Sequence, residues 1–86
     1  MNNKKLVELK KMSIIIEKAS NYIIELIRNN EKKSRVCMAY GDLRVYAETF
    51  YDICDLLGRQ KLVNTIYCTN SAIDKATQAV MEYMNK

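Results

Sequence analysis

The chain has 86 residues, of which 49% are hydrophobic and 28% charged, and it contains no histidine, proline or tryptophan and only two glycines. This composition excludes a disordered chain, which would be poor in apolar residues, and an all-β domain, which would need many glycine and proline turns. With a net charge of +4 and enough residues for one modest core, residues 1–86 are expected to form a single helical domain.

The first predicted helix covers residues 3–28. Its apolar residues recur at alternating spacings of three and four, which gives the one-sided stripe of an amphipathic α-helix. The stripe consists of Leu9, Met12, Ile16, Ala19, Ile23 and Leu26. Polar residues 29–33 then interrupt the pattern as a helix end and a short turn, and Ser34 is expected to cap the next helix.

The second predicted helix covers residues 35–57 and keeps the same spacing over three heptads. Its stripe consists of Val36, Ala39, Leu43, Tyr46, Phe50, Ile53 and Leu57. Because the stripe keeps its phase on both sides of Gly41, we expect the helix to continue through that glycine. Gly58 directly follows the last periodic residue, which is the position of a glycine that ends a helix.

The third predicted helix covers residues 60–85, with a stripe of Leu62, Ile66, Thr69, Ile73, Ala76, Val80 and Tyr83. Ser71 and Asp74 resemble a capping box, so a break near Ser71, giving four helices, is the alternative. Thr69 interrupts the apolar stripe and Asn70 and Thr77 flank it, so these polar groups need partners inside the bundle. Short connections make sequential helices antiparallel, and the sequence therefore predicts an all-α, elongated antiparallel three-helix bundle.

Helix 2 carries apolar residues where a three-helix bundle is expected to be polar. Met38, Val45 and Tyr51 are predicted on its outer side. Gly41, between Met38 and Val45, leaves a notch for close approach by another backbone or a flat ligand. Methionine and tyrosine are enriched at protein interfaces, so Met38, Gly41, Val45 and Tyr51 are predicted to bind a partner protein or a second copy of the chain. The alternative is that they are scattered exposed apolar residues without a role.

The six tyrosines fall into two groups. Those at stripe or flanking positions, expected in the core, are Tyr22, Tyr46 and Tyr83. The others, candidates for stacking on a base or on a partner side chain, are Tyr40, Tyr51 and Tyr67. Partial burial at a helix boundary explains the second group equally well.

Charge is unevenly distributed along the chain. Residues 1–35 carry nine basic and four acidic groups, a net +5, whereas residues 36–58 carry one basic and four acidic groups, a net −3. The basic residues of the first turn are Arg28, Lys32, Lys33 and Arg35, with Glu31 among them. This cluster is a candidate corner for binding an anion or nucleic acid. The alternative is that the complementary charges of helices 1 and 2 merely favour their pairing and the solubility of the chain.

Groups for catalysis or metal binding are nearly absent. Histidine, the commonest general base and metal ligand, is missing, and the three cysteines have no ligand-like spacing. Glu48, Asp52 and Asp55 share one face of helix 2, where a solvated acidic surface is a simpler explanation than a metal site. We therefore expect no catalytic residue, no metal site, no cofactor and no enzymatic activity.

Cysteine usage and hydropathy bear on the compartment. Three cysteines without a CxxC pair do not form a closed disulfide framework, so the cytoplasm is the expected location. The first apolar run, residues 14–16, is broken at once by charged residues, and no signal peptide is expected. The longest uncharged stretch, residues 62–73, is too short and too polar to cross a bilayer.

In size, charge and helix count, the chain resembles the format of bacteriocin immunity proteins and of the small helical inhibitors that phages and mobile elements direct at host machinery. No motif carries this resemblance, and it implies no residue assignments. We expect a small non-enzymatic protein-interaction module, an inhibitor or adaptor that covers a partner's functional surface. The alternatives are an oligomeric protein that binds a small molecule or nucleotide, and a nucleic-acid-binding protein that uses the basic turn.

Overall fold

The computed structural model describes residues 3–86 of the chain. Three α-helices follow one another, α1 (Asn3–Arg28), α2 (Lys33–Leu57) and α3 (Val63–Met84), with a 3-10 turn (Arg59–Leu62) before α3. All three helices pack against one another, and the described part of the chain contains no strand. The bundle measures 47 × 18 × 15 Å. The prediction of an elongated three-helix bundle is therefore confirmed.

α1 ends in a Schellman motif at Asn30, whose backbone is left-handed with φ 56°. The amide of Asn30 donates to the carbonyl of Ile27, and the amide of Glu31 donates to the carbonyl of Leu26, both at 3.0 Å. These bonds satisfy carbonyls that a helix end would otherwise leave without partners, and asparagine tolerates left-handed backbone better than most residues. The predicted end of the first helix at residue 28 is confirmed.

α2 begins two residues earlier than its apolar pattern predicted. Lys32 holds the N-cap position with extended backbone (φ −56°, ψ 139°), and no side chain caps the helix. The predicted capping role of Ser34 is wrong, because Ser34 lies inside the first turn. The amide of Val36 donates to the carbonyl of Lys32 at 3.1 Å, which sets the helical register one turn before the apolar stripe starts.

Gly58 ends α2 with φ 93°, a conformation that residues with a side chain rarely adopt. The predicted helix-ending glycine is therefore confirmed. The chain then makes the 3-10 turn, so α3 begins at Val63 and not at residue 60. This tight turn places Leu62 in the core before the α-helix starts.

α3 has no break along its length (Val63–Met84). The alternative of four helices, split near Ser71, is therefore wrong. Asn70 lies inside this helix and does not end one, and its side-chain carbonyl accepts a hydrogen bond from the hydroxyl of Tyr51 in α2. Thr69 and Ile73 both lie in the core four residues apart, and an unbroken helix keeps them on one face.

The core follows the three predicted stripes with a shift on α2. Its buried apolar side chains are Leu9, Ile16, Ile23, Leu26, Val36, Leu43, Ala47, Phe50, Ile53, Cys54, Leu62, Ile73, Ala76 and Val80. Ala47 and Cys54 enter the core beside the predicted positions, because a helix that touches two neighbours buries more than one seam. Tyr22 and Tyr46 are exposed, so their predicted core positions are wrong, whereas Tyr83 is partly buried against the core.

Polar side chains of α3 find partners on both neighbouring helices. The hydroxyls of Ser13 and Thr69 lie 2.9 Å apart, and those of Tyr40 and Thr77 are also 2.9 Å apart. Together with the hydrogen bond to Asn70, these contacts confirm that the polar residues beside the third stripe are satisfied inside the bundle. Each of them joins two helices and therefore helps to fix their relative register.

Candidate docking surface

The outer face of α2 carries three large apolar side chains that the rest of the described chain leaves largely uncovered. Met38, Val45 and Leu56 are 74%, 61% and 72% exposed. Spacings of seven and eleven residues both return to nearly the same side of an α-helix, so the three side chains form one row. We call these three residues the α2 ridge. The predicted outer positions of Met38 and Val45 are confirmed.

Leu56 is the member of the α2 ridge that the sequence reasoning missed. It stands beside Leu57 at the end of the apolar stripe, and a step of one heptad from Val45 leads to Asp52 instead. The signal that finds Leu56 is its spacing of eleven residues from Val45, which corresponds to three turns of helix.

Tyr51 does not belong to the α2 ridge, so its predicted outer position is wrong. Six residues separate it from Val45, a rotation of about 120° around the helix, and this turns it toward α3. The ring is partly buried against the core and meets the ring of Phe50 edge-on at 5.5 Å, while its hydroxyl bonds to Asn70. The guanidinium of Arg59 lies 5.4 Å from the ring centroid. Burial raises the pKa of the Tyr51 hydroxyl above its ordinary value.

Gly41 lies beside the α2 ridge with open space in front of it. A Cβ at this position would meet no heavy atom within 4 Å. The helix is continuous through this residue, as the phase of the stripe predicted. The glycine therefore leaves backbone uncovered between Met38 and Val45 without relieving any contact inside the bundle.

Carboxylates lie beside the α2 ridge and in line with it, because Asp52, one heptad after Val45, falls between Val45 and Leu56. Asp42, Glu48 and Asp52 are exposed, and none of them makes an ion pair within residues 3–86. Asp55 differs, because it pairs with Arg59 at 2.6 Å. Across the described residues, no group of three His, Cys, Asp or Glu side chains could hold a metal ion. The acidic surroundings of the ridge would favour a basic surface on whatever docks there.

The two arginines beside the turn between α1 and α2 both form ion pairs within the chain. Arg28 pairs with Glu25 at 3.1 Å, and Arg35 pairs with Glu31 at 3.3 Å. A hydrogen bond to the hydroxyl of Tyr22 and the nearby charge of Glu31 raise the pKa of the Arg35 guanidinium. These pairs are exposed, so water and salt screen them and each contributes little to stability.

The two lysines of the first turn are exposed beside the N-terminus of α2. Lys33 donates to the backbone carbonyl of Met84 at the end of α3, at 3.4 Å. Lys32 makes no ion pair with another described residue. Binding of an anion or nucleic acid by this corner, Arg28, Lys32, Lys33 and Arg35, stays a prediction.

The three cysteines are free thiols in different surroundings. Cys54 is buried in the core, and burial raises the pKa of its thiol. Cys37 and Cys68 are exposed. The thiol of Cys37 lies 3.8 Å from the sulfur of Met84, where the end of α3 meets the start of α2.

A shallow groove runs between α1 and α2. It is lined by Ile15, Lys18, Ala19, Tyr22, Ala39, Asp42 and Tyr46, and by no residue of α3. We call it the α1–α2 groove. Its larger apolar side chains, Ile15, Tyr22 and Tyr46, are 42%, 49% and 37% exposed. The groove therefore has an apolar centre, with one basic residue on the side of α1 and one acidic residue on the side of α2.

A second groove, between α1 and α3, is more polar. Its lining is Glu17, Ser20, Asn21, Ile24, Tyr67, Cys68, Ser71, Ala72 and Lys75. The hydroxyl of Ser20 is buried there and has no hydrogen-bond partner among the described residues. Tyr67 is exposed at its edge, and its stacking on a base or on a partner side chain stays a prediction.

No helix within residues 3–86 combines the length and the apolar character that crossing a bilayer requires. Comparisons with protein-family models, with curated proteins and with solved structures found no match to this chain.

Proposed function

We propose that this chain is a small non-enzymatic protein-interaction module, an inhibitor or adaptor of the cytoplasm that docks through the outer face of α2 and covers a functional surface of its partner. The observation that carries this proposal is the α2 ridge, where three large apolar side chains stand exposed in one row. A helix face of this kind is suited to a hydrophobic groove on another protein.

The face of α2 opposite the ridge packs in the core and keeps the helix ordered. Val36, Leu43 and Phe50 are fully buried in the core, so α2 is already ordered in the free chain. A partner would therefore not have to fold the helix, which lowers the entropic cost of binding. Full burial of one Met, Val or Leu side chain contributes about 1.5–3 kcal/mol, and a few such anchors dominate a typical interface.

The charges around the ridge define the chemistry of the partner. Glu48 and Asp52 have no basic partner within residues 3–86 and remain available for pairing. The complementary surface is apolar where it meets Met38, Val45 and Leu56, and it carries lysine or arginine opposite the carboxylates beside and between them. Such a charge pattern steers the encounter and increases the association rate more than it increases the affinity.

A photo-crosslinking amino acid at position 45 tests the proposal in cells that produce the protein. We expect a covalent adduct with another protein, and the same adduct partner from positions 38 and 56 of the ridge. Gln78, an exposed polar residue of α3, is the matched control position, and crosslinker there should not capture that partner.

Val45→Glu provides the second arm of the experiment. A charge in the apolar contact should abolish the adduct from position 38. The helical circular dichroism spectrum should stay unchanged, because the side chain of residue 45 is exposed. Equal crosslinking from position 78, adducts that contain only a second copy of the chain, or an adduct that Val45→Glu leaves intact would each contradict the proposed function.

A further inference from the structure

We propose that the α1–α2 groove receives the same groove of a second copy, and that a two-fold axis parallel to the helices lays α1 of one copy on α2 of the other. This inference goes beyond the proposed function, because it concerns the groove between two helices and not the α2 ridge. It rests on the apolar centre of the groove and on the opposite charges of its two edges.

The apolar side chains at the centre of the groove lie next to core residues in the helices but remain exposed. Tyr46 belongs by its spacing to the apolar stripe of α2, and Ile15 directly precedes the fully buried Ile16. Both side chains nevertheless remain exposed, and Tyr22 lies beside them. A facing copy would remove all three from water, which is the main driving force for association.

The edges of the groove carry opposite charges. Lys18 lies at the edge on α1. One heptad away on the same side of that helix are Lys11 and Glu25, and Glu25 pairs with Arg28. Asp42 lies at the edge on α2. Lys18 and Asp42 line the same groove, and neither makes an ion pair within residues 3–86. Both charges are therefore available to a second molecule. The turn between Arg28 and Lys33 reverses the chain, so counting back from it along α1 and forward along α2 places the two residues at about the same level.

The charge pattern selects the direction of the symmetry axis. A two-fold axis parallel to the helices keeps the height of every residue and exchanges the two edges, so Lys18 of one copy faces Asp42 of the other, twice by symmetry. Ile15 of one copy then meets Tyr46 of the other in the centre. A two-fold axis perpendicular to the helices at this level would instead place Lys18 opposite Lys18 and Asp42 opposite Asp42, which like charges oppose.

Sedimentation equilibrium over a concentration series tests this arrangement. The mass of the wild-type protein should rise from that of one 10.0 kDa chain toward that of two chains. Lys18→Asp or Asp42→Lys places like charges opposite each other and should weaken dimerisation by about tenfold or more. The double variant Lys18→Asp/Asp42→Lys restores opposite pairs and should dimerise like the wild type. Glu82→Lys, at an exposed position of α3, is the control and should leave the dimer unchanged.

A mixture of the two single variants provides an independent test of the arrangement. The two single variants combined in equal amounts place opposite charges at both contacts of a mixed dimer, so the mixture should dimerise although neither variant does so alone. Circular dichroism of each variant should match the wild type, because both positions are exposed.

Three results would overturn the inference. The first is a wild-type chain that stays monomeric at every concentration, which leaves the crosslinking test of the α2 ridge unaffected. The second is a dimer that both single variants leave intact. The third is a double variant that fails to regain the association that the single variants lose.

Discussion

The hydroxyl of Ser13 in α1 lies 2.9 Å from the hydroxyl of Thr69 in α3, and this hydrogen bond joins the first and last helices of the bundle. Thr69 is completely buried, so water has no access to replace a lost partner. Ser13→Ala should therefore lower the free energy of unfolding by about 1–3 kcal/mol, because it leaves the Thr69 hydroxyl unsatisfied. Urea unfolding followed by circular dichroism measures the change.

The matched control for this prediction removes both hydroxyls. Ser13→Ala/Thr69→Val leaves no polar group without a partner, so its stability should return to within about 1 kcal/mol of the wild type. If the double variant were no more stable than Ser13→Ala, the cost would come from packing and the hydrogen-bond explanation would be wrong.

Replacing Ser20 with alanine should not lower the free energy of unfolding, in contrast to Ser13→Ala. Its hydroxyl is buried but has no hydrogen-bond partner among the described residues. Ser20→Ala removes an unsatisfied polar group, so we expect the free energy of unfolding to stay constant or to rise by up to about 1 kcal/mol. Thermal melts of Ser20→Ala and Ser13→Ala side by side would show the contrast. A clear loss of stability in Ser20→Ala would contradict the explanation that the Ser20 hydroxyl is buried without a partner.

The N-terminus of α2 can be stabilised by a side-chain cap. Lys32 occupies the N-cap position without a capping hydrogen bond, and its positive charge opposes the helix dipole. Lys32→Asp supplies an acceptor for the free amides and reverses the charge, so it should raise the free energy of unfolding by about 0.5–2 kcal/mol. Lys32→Ala, which only removes the charge, is the control. Equal unfolding midpoints for the two variants would show that no cap forms.

The two glycines should respond oppositely to substitution by alanine. Gly58→Ala should lower the free energy of unfolding by about 1–2 kcal/mol, because position 58 has φ 93°. Gly41→Ala should raise it by about 0.5–1 kcal/mol, because the position is an exposed helix interior with open space around it. Chemical denaturation of both variants measures the difference, and a destabilising Gly41→Ala would mean that the helix is distorted there.

Alkaline pH should destabilise the fold through Cys54. Burial raises the pKa of this thiol above its ordinary value of 9.0, so the unfolded chain releases the proton more readily than the folded chain. The stability that this group contributes is therefore fully present below the unfolded pKa and is lost as the pH rises through the folded pKa. Tyr51 acts in the same direction at higher pH. Unfolding free energies of the wild type and Cys54→Ala, measured across this range, should decline less steeply in the variant; parallel curves would contradict the assignment.

Helix number and most of the core were predictable because apolar periodicity is a local signal that each helix repeats several times. Leu9, Ile16 and Ile23 recur every seven residues, and all three are fully buried. Helix ends were less predictable, because a cap depends on one residue and its exact backbone. Ser34 has the chemistry of a cap, but the left-handed turn at Asn30 lets the chain become helical before Ser34 is reached.

The candidate docking surface was only half predictable. Met38 and Val45 follow from the excess of apolar residues on α2, whereas Leu56 is on the same ridge and Tyr51 is not. Tyr51 is turned toward α3, where the hydroxyl finds Asn70. The partial burial of Tyr51 depends on where α3 lies, and the apolar pattern of α2 contains no information about that position.

The sequence by itself determined that this chain is helical, that it forms three helices joined by short turns, and that its core is built from one apolar stripe on each helix. Only the tertiary structure decided which residues beside those stripes are buried, so that Ala47 lies in the core and Tyr46 lines an open groove. The physical reason is that periodicity defines one face of a helix, whereas burial depends on the directions from which two neighbouring helices meet that face.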